Sequence, residues 1–249
     1  MADNNNIINN IQFGLREVHS TTHQVKRVVN LIQSNKNRRF STGILLLCVE
    51  KAFDSNWHNE LLFKLCKMKC PMYIVKLIQS FLAERFFVVV VDGQKSSPNP
   101  VPAGVPQGFV LSPLWYSLYT HDFKPSIHSD VAFYADDSAF LCSGKVSNTI
   151  IMRLQESLKQ TAKYFTKWKI KINDSKIQGI IFPFNKSPKR IPTRRLLMQN
   201  NEVVILDKIK YLGITLDKYL TYKAHMVWKS TVSFIESQVA IKWEKQIVT

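Results

Sequence analysis

Apolar positions along the chain fall into two periods, and these divide it into helices and strands. From Gln12 to Gln33 the spacing, centred on THQVKRVVNLIQ, predicts a helix. GILLLCVE at 43–50 is a short unbroken apolar run and reads as a buried strand. HNELLFKLCKMK (58–69) and MYIVKLIQSFLAER (72–85) return to helical spacing. FFVVVV at 86–91 runs into Asp92-Gly93, a hairpin signal. Ser112-Pro113 stands where a helix covering LWYSLYTHDF would begin, with proline in its first turn. VAFYADDSAFLC (131–142) reads as two strands about a tight turn at Asp136-Asp137. Ile151, Leu154, Leu158 and Phe165 then recur at threes and fours, predicting a long helix capped by Ser147 or Asn148. GIIF (179–182) and KYLGITL (210–216) close the series as short strands, and no internal repeat is present. Helices mixed with antiparallel hairpins define an α+β class.

Composition adds one strong fact. Hydrophobic residues at 45% and charged residues at 21% are ordinary, but 34 Lys and Arg face 18 Asp and Glu, for a net charge of +16. Such a field favours a polyanionic partner, nucleic acid above all. Between Lys159 and Arg195 there are eleven basic residues and a single acid, Asp174, interleaved with Tyr164, Phe165 and Trp168. Lys159, Lys163 and Lys167 would form a stripe on the long helix. The segment 183–195, with Arg190, Arg194 and Arg195, reads equally as phosphate contact or as a solvated basic loop. Cys48, Cys66, Cys70 and Cys142 are too few and scattered for a disulfide framework. The Cys66/Cys70 and His19/His23 pairs lack zinc-finger spacing, so free thiols in a reducing compartment are expected. The Asn-rich start (1–10) reads as disordered and lacks a signal peptide, and no apolar run is long enough for a membrane. An intracellular protein of the nucleus or cytoplasm, neither secreted nor membrane-bound, is the expectation.

Tyr134-Ala135-Asp136-Asp137 is the most informative tetrapeptide. Adjacent carboxylates at a hairpin tip repel each other, and a divalent cation relieves that repulsion. Alone, such a pair is usually a solvated turn. Its company matters: Ala52-Phe53-Asp54 follows the buried strand, and Gln107-Gly108 in AGVPQG precedes a helix. LLLCVEKAFDSNWHNELLFKL, AGVPQGFVLSPLWYSLYTHDF, FYADDSAFLC and KYLGITLDKYLTYKAH resemble successive blocks of the jockey-like reverse transcriptases of non-LTR retrotransposons. QFGLREVHSTTHQVKRVVNLIQ resembles the block before them, so the likeness spans residues 11–225.

That resemblance implies a right-hand polymerase core of fingers and palm, with an antiparallel palm sheet backed by helices. It divides the chain into a disordered start (1–10), a partial fingers segment (11–40), a fingers/palm domain (41–225) and a diverged tail or thumb remnant (226–249). The implied reaction is addition of dNTPs to a DNA primer on an RNA template, by two-metal phosphoryl transfer with Mg²⁺, or Mn²⁺ in its place. By resemblance Asp136 and Asp137 are metal-binding catalytic aspartates, and Phe53 is the aromatic that discriminates against a 2′-hydroxyl. Gln107, Gly108 and Lys176 flank the nucleotide, and Tyr211, Leu212 and Gly213 support the primer end. Simpler readings exist for several: Phe53 as core, Gly108 as a turn, Tyr211 as strand packing.

One position breaks the pattern. The family carries a third metal-binding aspartate at the end of the apolar strand; here it is Cys48. A neutral thiol is a poor partner for a hard ion. Glu50 has its own family counterpart and is not expected to substitute. Phe109, Trp115, Asn56 and Asp174 are smaller departures from the family pattern. Together they suggest a truncated, drifting copy of a mobile element, impaired at Cys48. The alternatives are a catalytically dead nucleic-acid-binding remnant and a pseudogene product, and protein partners stay unspecified.

Overall fold

The computed structural model describes residues 9–14, 16, 19–50, 52, 56–101, 103–105, 111–185, 194–198 and 201–226. Its centre is a five-stranded sheet. Helix α1 (Thr21–Asn37) leads into the central strand β1 (Ser41–Cys48). Two helices, α2 (His58–Lys67) and α3 (Met72–Leu82), follow. A projecting hairpin then pairs β2 (Phe86–Phe87) with β5 (Asn99–Pro100), and β3 (Val90–Val91) with β4 (Gln94–Lys95) around the expected Asp92-Gly93 turn. Helix α4 (Ser112–Tyr119) carries proline in its first turn, as its sequence predicts. Next come β6 (Asp130–Tyr134), β7 (Asp137–Gly144) and the long helix α5 (Ser147–Lys167). Strand β8 (Gln178–Phe182) precedes two short hairpin pairs, β9 (Leu197–Met198) with β10 (Asn201–Glu202) and β12 (Lys208–Tyr211) with β13 (Ile214–Asp217), and between them β11 (Ile205–Leu206) at the sheet edge.

The sheet order is β11-β8-β1-β7-β6. Four strands are antiparallel, as expected, but β11 joins β8 in parallel, so the sheet is mixed. Strand alternation sends successive side chains to opposite faces. Leu45, Leu47, Phe140 and Cys142 meet Ile150, Ile151, Leu154 and Leu158 of α5. Each such fully buried side chain is worth about 1.5–3 kcal/mol relative to exposure. At Gly43 a Cβ would lie 2.2 Å from Ile150 Cγ2, so glycine is what lets α5 sit this close to β1. The other face carries Ile44, Ala139, Leu141 and Ile180 against Val25, Val28 and Ile32 of α1 and Ile209, Tyr211 and Leu216 of the β12–β13 hairpin. A third cluster joins α2, α3 and α4 to the end of α5 through Leu61, Leu65, Val75, Trp115, Tyr119, Phe165 and Trp168.

Several boundaries differ from their sequence reading. The first helix starts at Thr21, with the Ser20 hydroxyl accepting from His23 N–H at 3.2 Å; Gln12 pairs instead with Phe133 on the edge of β6. The cap of α5 is Val146 rather than Ser147 or Asn148, which both lie in its first turn. Asn9, inside the stretch expected to be disordered, donates to the carbonyls of His121 and Phe123.

Candidate active site

Strand β1 is gripped on both sides at its last residue. Cys48 lies directly opposite Asp137 of β7, and its carbonyl accepts the Asn173 N–H at 2.9 Å. Val49 N–H donates to Asp136 O at 3.0 Å, and Glu50 N–H to Lys171 O at 2.8 Å. Residues opposite each other on antiparallel strands share a face. Cys48 and Asp137 therefore present their side chains together, on the face that α5 does not cover.

The turn between β6 and β7 consists of Ala135 and Asp136, one residue earlier than the sequence suggests, with Tyr134 paired to Asp137. Ala135 takes φ +53°, the left-handed region, which costs a non-glycine residue about 1 kcal/mol or more. The N-terminal segment holds it there. Gln12 Oε1 accepts both Gly14 N–H (3.0 Å) and Ala135 N–H (3.2 Å). At Gly14 a Cβ would lie 2.2 Å from Ala135 N, so only glycine allows this approach. Gln12 and Gly14 stand in QFGLREVHSTTHQVKRVVNLIQ, where nothing in the local pattern points to a role at this turn.

The result is a cavity of about 280 Å³ lined by Leu46, Cys48, Asp136, Asp137, Lys176, Gln178, Lys210 and Tyr211, among others. Donor atoms of Cys48, Asp136 and Asp137 all lie within 4.8 Å of one another, with Cys48 Sγ 4.0 Å from Asp136 Oδ2. Among the described residues they form the only group of three or more potential metal ligands, and His19, His23, Cys66 and Cys70 join none. Burial, then the fields of Asp136 and Asp137, push the Cys48 thiol up, against the pull of Lys176. Burial and Asp136 likewise hold the Asp137 carboxyl above the usual carboxylate range, again opposed by Lys176. Cys48 is thus a neutral thiol near pH 7 and does not restore the charge of an aspartate. Two carboxylates suit a divalent cation, but sulfur in third place does not suit magnesium, so the set does not match a pair of Mg²⁺ ions.

Of the other residues singled out in the sequence, Lys176 sits in a short 3-10 turn (Asp174–Lys176) and lines this cavity. Tyr211 lines it too; its ring is buried, and its hydroxyl has no hydrogen-bond partner among the described residues. Leu212 and Gly213 form the turn between β12 and β13. Glu50 lines a different cavity, with Trp57, Phe165 and Lys169, and does not join the Cys48–Asp136–Asp137 group. Lys159, Lys163 and Lys167 are exposed along α5, the helix on the opposite face of the sheet, and none lines the first cavity. Arg194 and Arg195 are exposed, and Arg195 pairs with Glu202 at 3.2 Å. Phe53, Gln107, Gly108, Phe109 and Arg190 lie outside the described residues. No helix among the described residues is long and apolar enough to cross a membrane.

A sheet whose central strand end and neighbouring hairpin turn share an acidic cluster is the arrangement of a polymerase palm. Telomerase structures have this fold: apo telomerase from Candida Tropicalis superposes with a TM-score of 0.55 at 15% identity, over 83% of this chain and 40% of that one. The same species' telomerase with a fragment of telomeric RNA gives 0.52 at 12% identity, over 81% and 32%. Residues 1–216 match the family described as reverse transcriptase (RNA-dependent DNA polymerase), and the chain belongs to that family. Within it, the similarity is to mobile-element enzymes. The chain is 36% identical over 225 residues to the RNA-directed DNA polymerase from mobile element jockey of Drosophila melanogaster. It is 37% identical over 229 residues to the probable RNA-directed DNA polymerase from transposon BS of the same fly. Each alignment covers 86% of this chain and 24% of the relative, so the chain spans about a quarter of their length.

Proposed function

We propose that this chain is the fingers/palm portion of an RNA-directed DNA polymerase of the jockey-like non-LTR kind, with its chemistry severely impaired by Cys48. The implied reaction joins the α-phosphorus of a dNTP to a primer 3′-hydroxyl on an RNA template, with pyrophosphate leaving. Mg²⁺ is the ion expected for the family, with Mn²⁺ as the alternative. The observation that carries the reading is the meeting of Cys48, Asp136 and Asp137 at the end of the central strand, where family resemblance expects three carboxylates.

In this reading Asp136 and Asp137 are the surviving catalytic carboxylates. Lys176 neutralises triphosphate charge at the cavity wall, and Tyr211, with the Leu212-Gly213 turn, backs the primer end. The exposed lysines of α5 lie behind the sheet, so a hybrid seated over Asp136 reaches them only by wrapping around the domain. They contribute a general attractive field, as Arg190, Arg194 and Arg195 do. A binding remnant without catalysis is the second reading, favoured by the neutral thiol at Cys48. Primer extension on RNA by this chain and by Asp136→Ala separates the two. Extension that Asp136→Ala abolishes supports a working enzyme. Binding of an RNA–DNA hybrid that weakens steeply with salt, without extension, supports the remnant.

A further inference from the structure

The mismatch between this donor set and magnesium has a positive side. We propose that Cys48, Asp136 and Asp137 form a mixed thiol–carboxylate site that takes one thiophilic divalent cation, of the zinc and cadmium class, in preference to magnesium. This rests on the palm reading only for its location; the chemistry follows from the residues present. Thiolate and carboxylate together are a donor set for zinc, with bonds of about 2.3 Å to sulfur and about 2.0–2.2 Å to oxygen. At a tetrahedral angle those lengths set sulfur and oxygen about 3.5 Å apart. Cys48 Sγ and Asp136 Oδ2 stand 4.0 Å apart already, so half an ångström of closure completes that edge.

A separate feature of the cavity also points to a ligand. Tyr211 is only 2% exposed and lines the same cavity, yet its hydroxyl has no partner among the described residues. Buried hydroxyls are rarely left unsatisfied. A water or phosphate oxygen on the fourth position of a bound ion would give it one. Binding exchanges the Cys48 S–H bond for a sulfur–metal bond, with the proton passing to solvent. Magnesium gains nothing from that exchange, because hard ions prefer oxygen.

The test is titration of the full chain with Cd²⁺, read by the ultraviolet thiolate-to-cadmium charge-transfer band. To silence the other accessible thiols, Cys66→Ser and Cys70→Ser are introduced together. We expect one equivalent to saturate the band, and a thousandfold excess of Mg²⁺ not to displace it. Cys48→Ser should abolish the band, Asp136→Asn should weaken affinity about tenfold or more, and Cys48→Asp should reverse the order of preference. Circular dichroism shows whether each variant is folded, and the Mg²⁺ competition needs no change at Cys48. A band that survives Cys48→Ser, or yields to Mg²⁺ at equal concentration, overturns the site. Since the readout is binding, failure of primer extension in every variant would remove the polymerase reading and leave this one standing.

Discussion

Gln12 Oε1 accepts the backbone N–H of Ala135 at 3.2 Å, so a residue 123 positions away fixes the turn that carries Asp136. The same oxygen accepts Gly14 N–H, which leaves one buried and one half-buried donor unsatisfied if Gln12 is truncated. Gln12→Ala should therefore destabilise the fold by about 1–3 kcal/mol. Gly14→Ala should cost more, because its Cβ meets backbone rather than a flexible side chain. Urea denaturation measures both. Faster amide exchange at Ala135 in Gln12→Ala would show that the loss is local to the turn.

Lys64 ties α2 to α4 and α5 from a fully buried position. Its ammonium donates to Tyr119 O, Asp122 Oδ1 at 2.6 Å and Tyr164 OH at 2.9 Å, and lies 3.8 Å from the centre of the Trp168 ring. Lys64→Met leaves Asp122 without its counter-ion and should cost about 3 kcal/mol. Adding Asp122→Leu should recover much of that loss. A double-mutant cycle in guanidinium reads the coupling, and simple additivity would contradict the pairing.

Asn56 is 1% exposed, and its Nδ2 has no hydrogen-bond partner among the described residues. Relieving an unsatisfied buried donor should stabilise the protein. Asn56→Leu is expected to raise stability by about 1–2 kcal/mol, seen as a higher melting temperature.

Asp217 organises the segment after β13, accepting from Tyr219 N–H, Thr221 N–H and Oγ1–H, and Tyr222 N–H. Burial pushes its pKa up, but hydrogen bonds from Thr221, Tyr219 and Tyr222 outweigh that and hold it below the usual value. A carboxylate depressed in the folded state stabilises it above the unfolded pKa of about 3.9, and that gain disappears as pH falls further. The urea midpoint should therefore fall below about pH 4, and Asp217→Asn should flatten that part of the curve.

Much of the site was legible in the sequence because strand period and motif order are local. The apolar run of β1 and the two strands around the acidic pair show in patterns within a few residues, but β1 stops at Cys48, two residues before the run 43–50 ends. The roles of Lys176 and Tyr211 come from family resemblance alone. The turn falls one residue earlier than its sequence suggests for a physical reason. Asp tolerates positive φ better than Ala, so local chemistry favours Asp136-Asp137 as the turn. Ala135 takes the strained position because Gln12 and Gly14, distant in sequence, hold it. The start of α1 differs likewise: residues 12 and 13 continue a helical pattern, but backbone hydrogen bonds between Phe133 and both Ile11 and Phe13 draw this segment to the sheet edge. The idle position of Glu50 depends on where β1 stops, and strand ends are set by their neighbours.

The proposal that Cys48 impairs this palm is tested by the rate of primer extension by Cys48→Asp relative to the native chain. With RNA template, DNA primer, dNTPs and Mg²⁺, we expect a gain of about a hundredfold or more, as for restoring one preorganised charge at a reacting centre. Asp136→Ala in the revertant should erase the gain. A revertant no faster than the native chain would contradict the claim and place the loss of activity elsewhere in the domain.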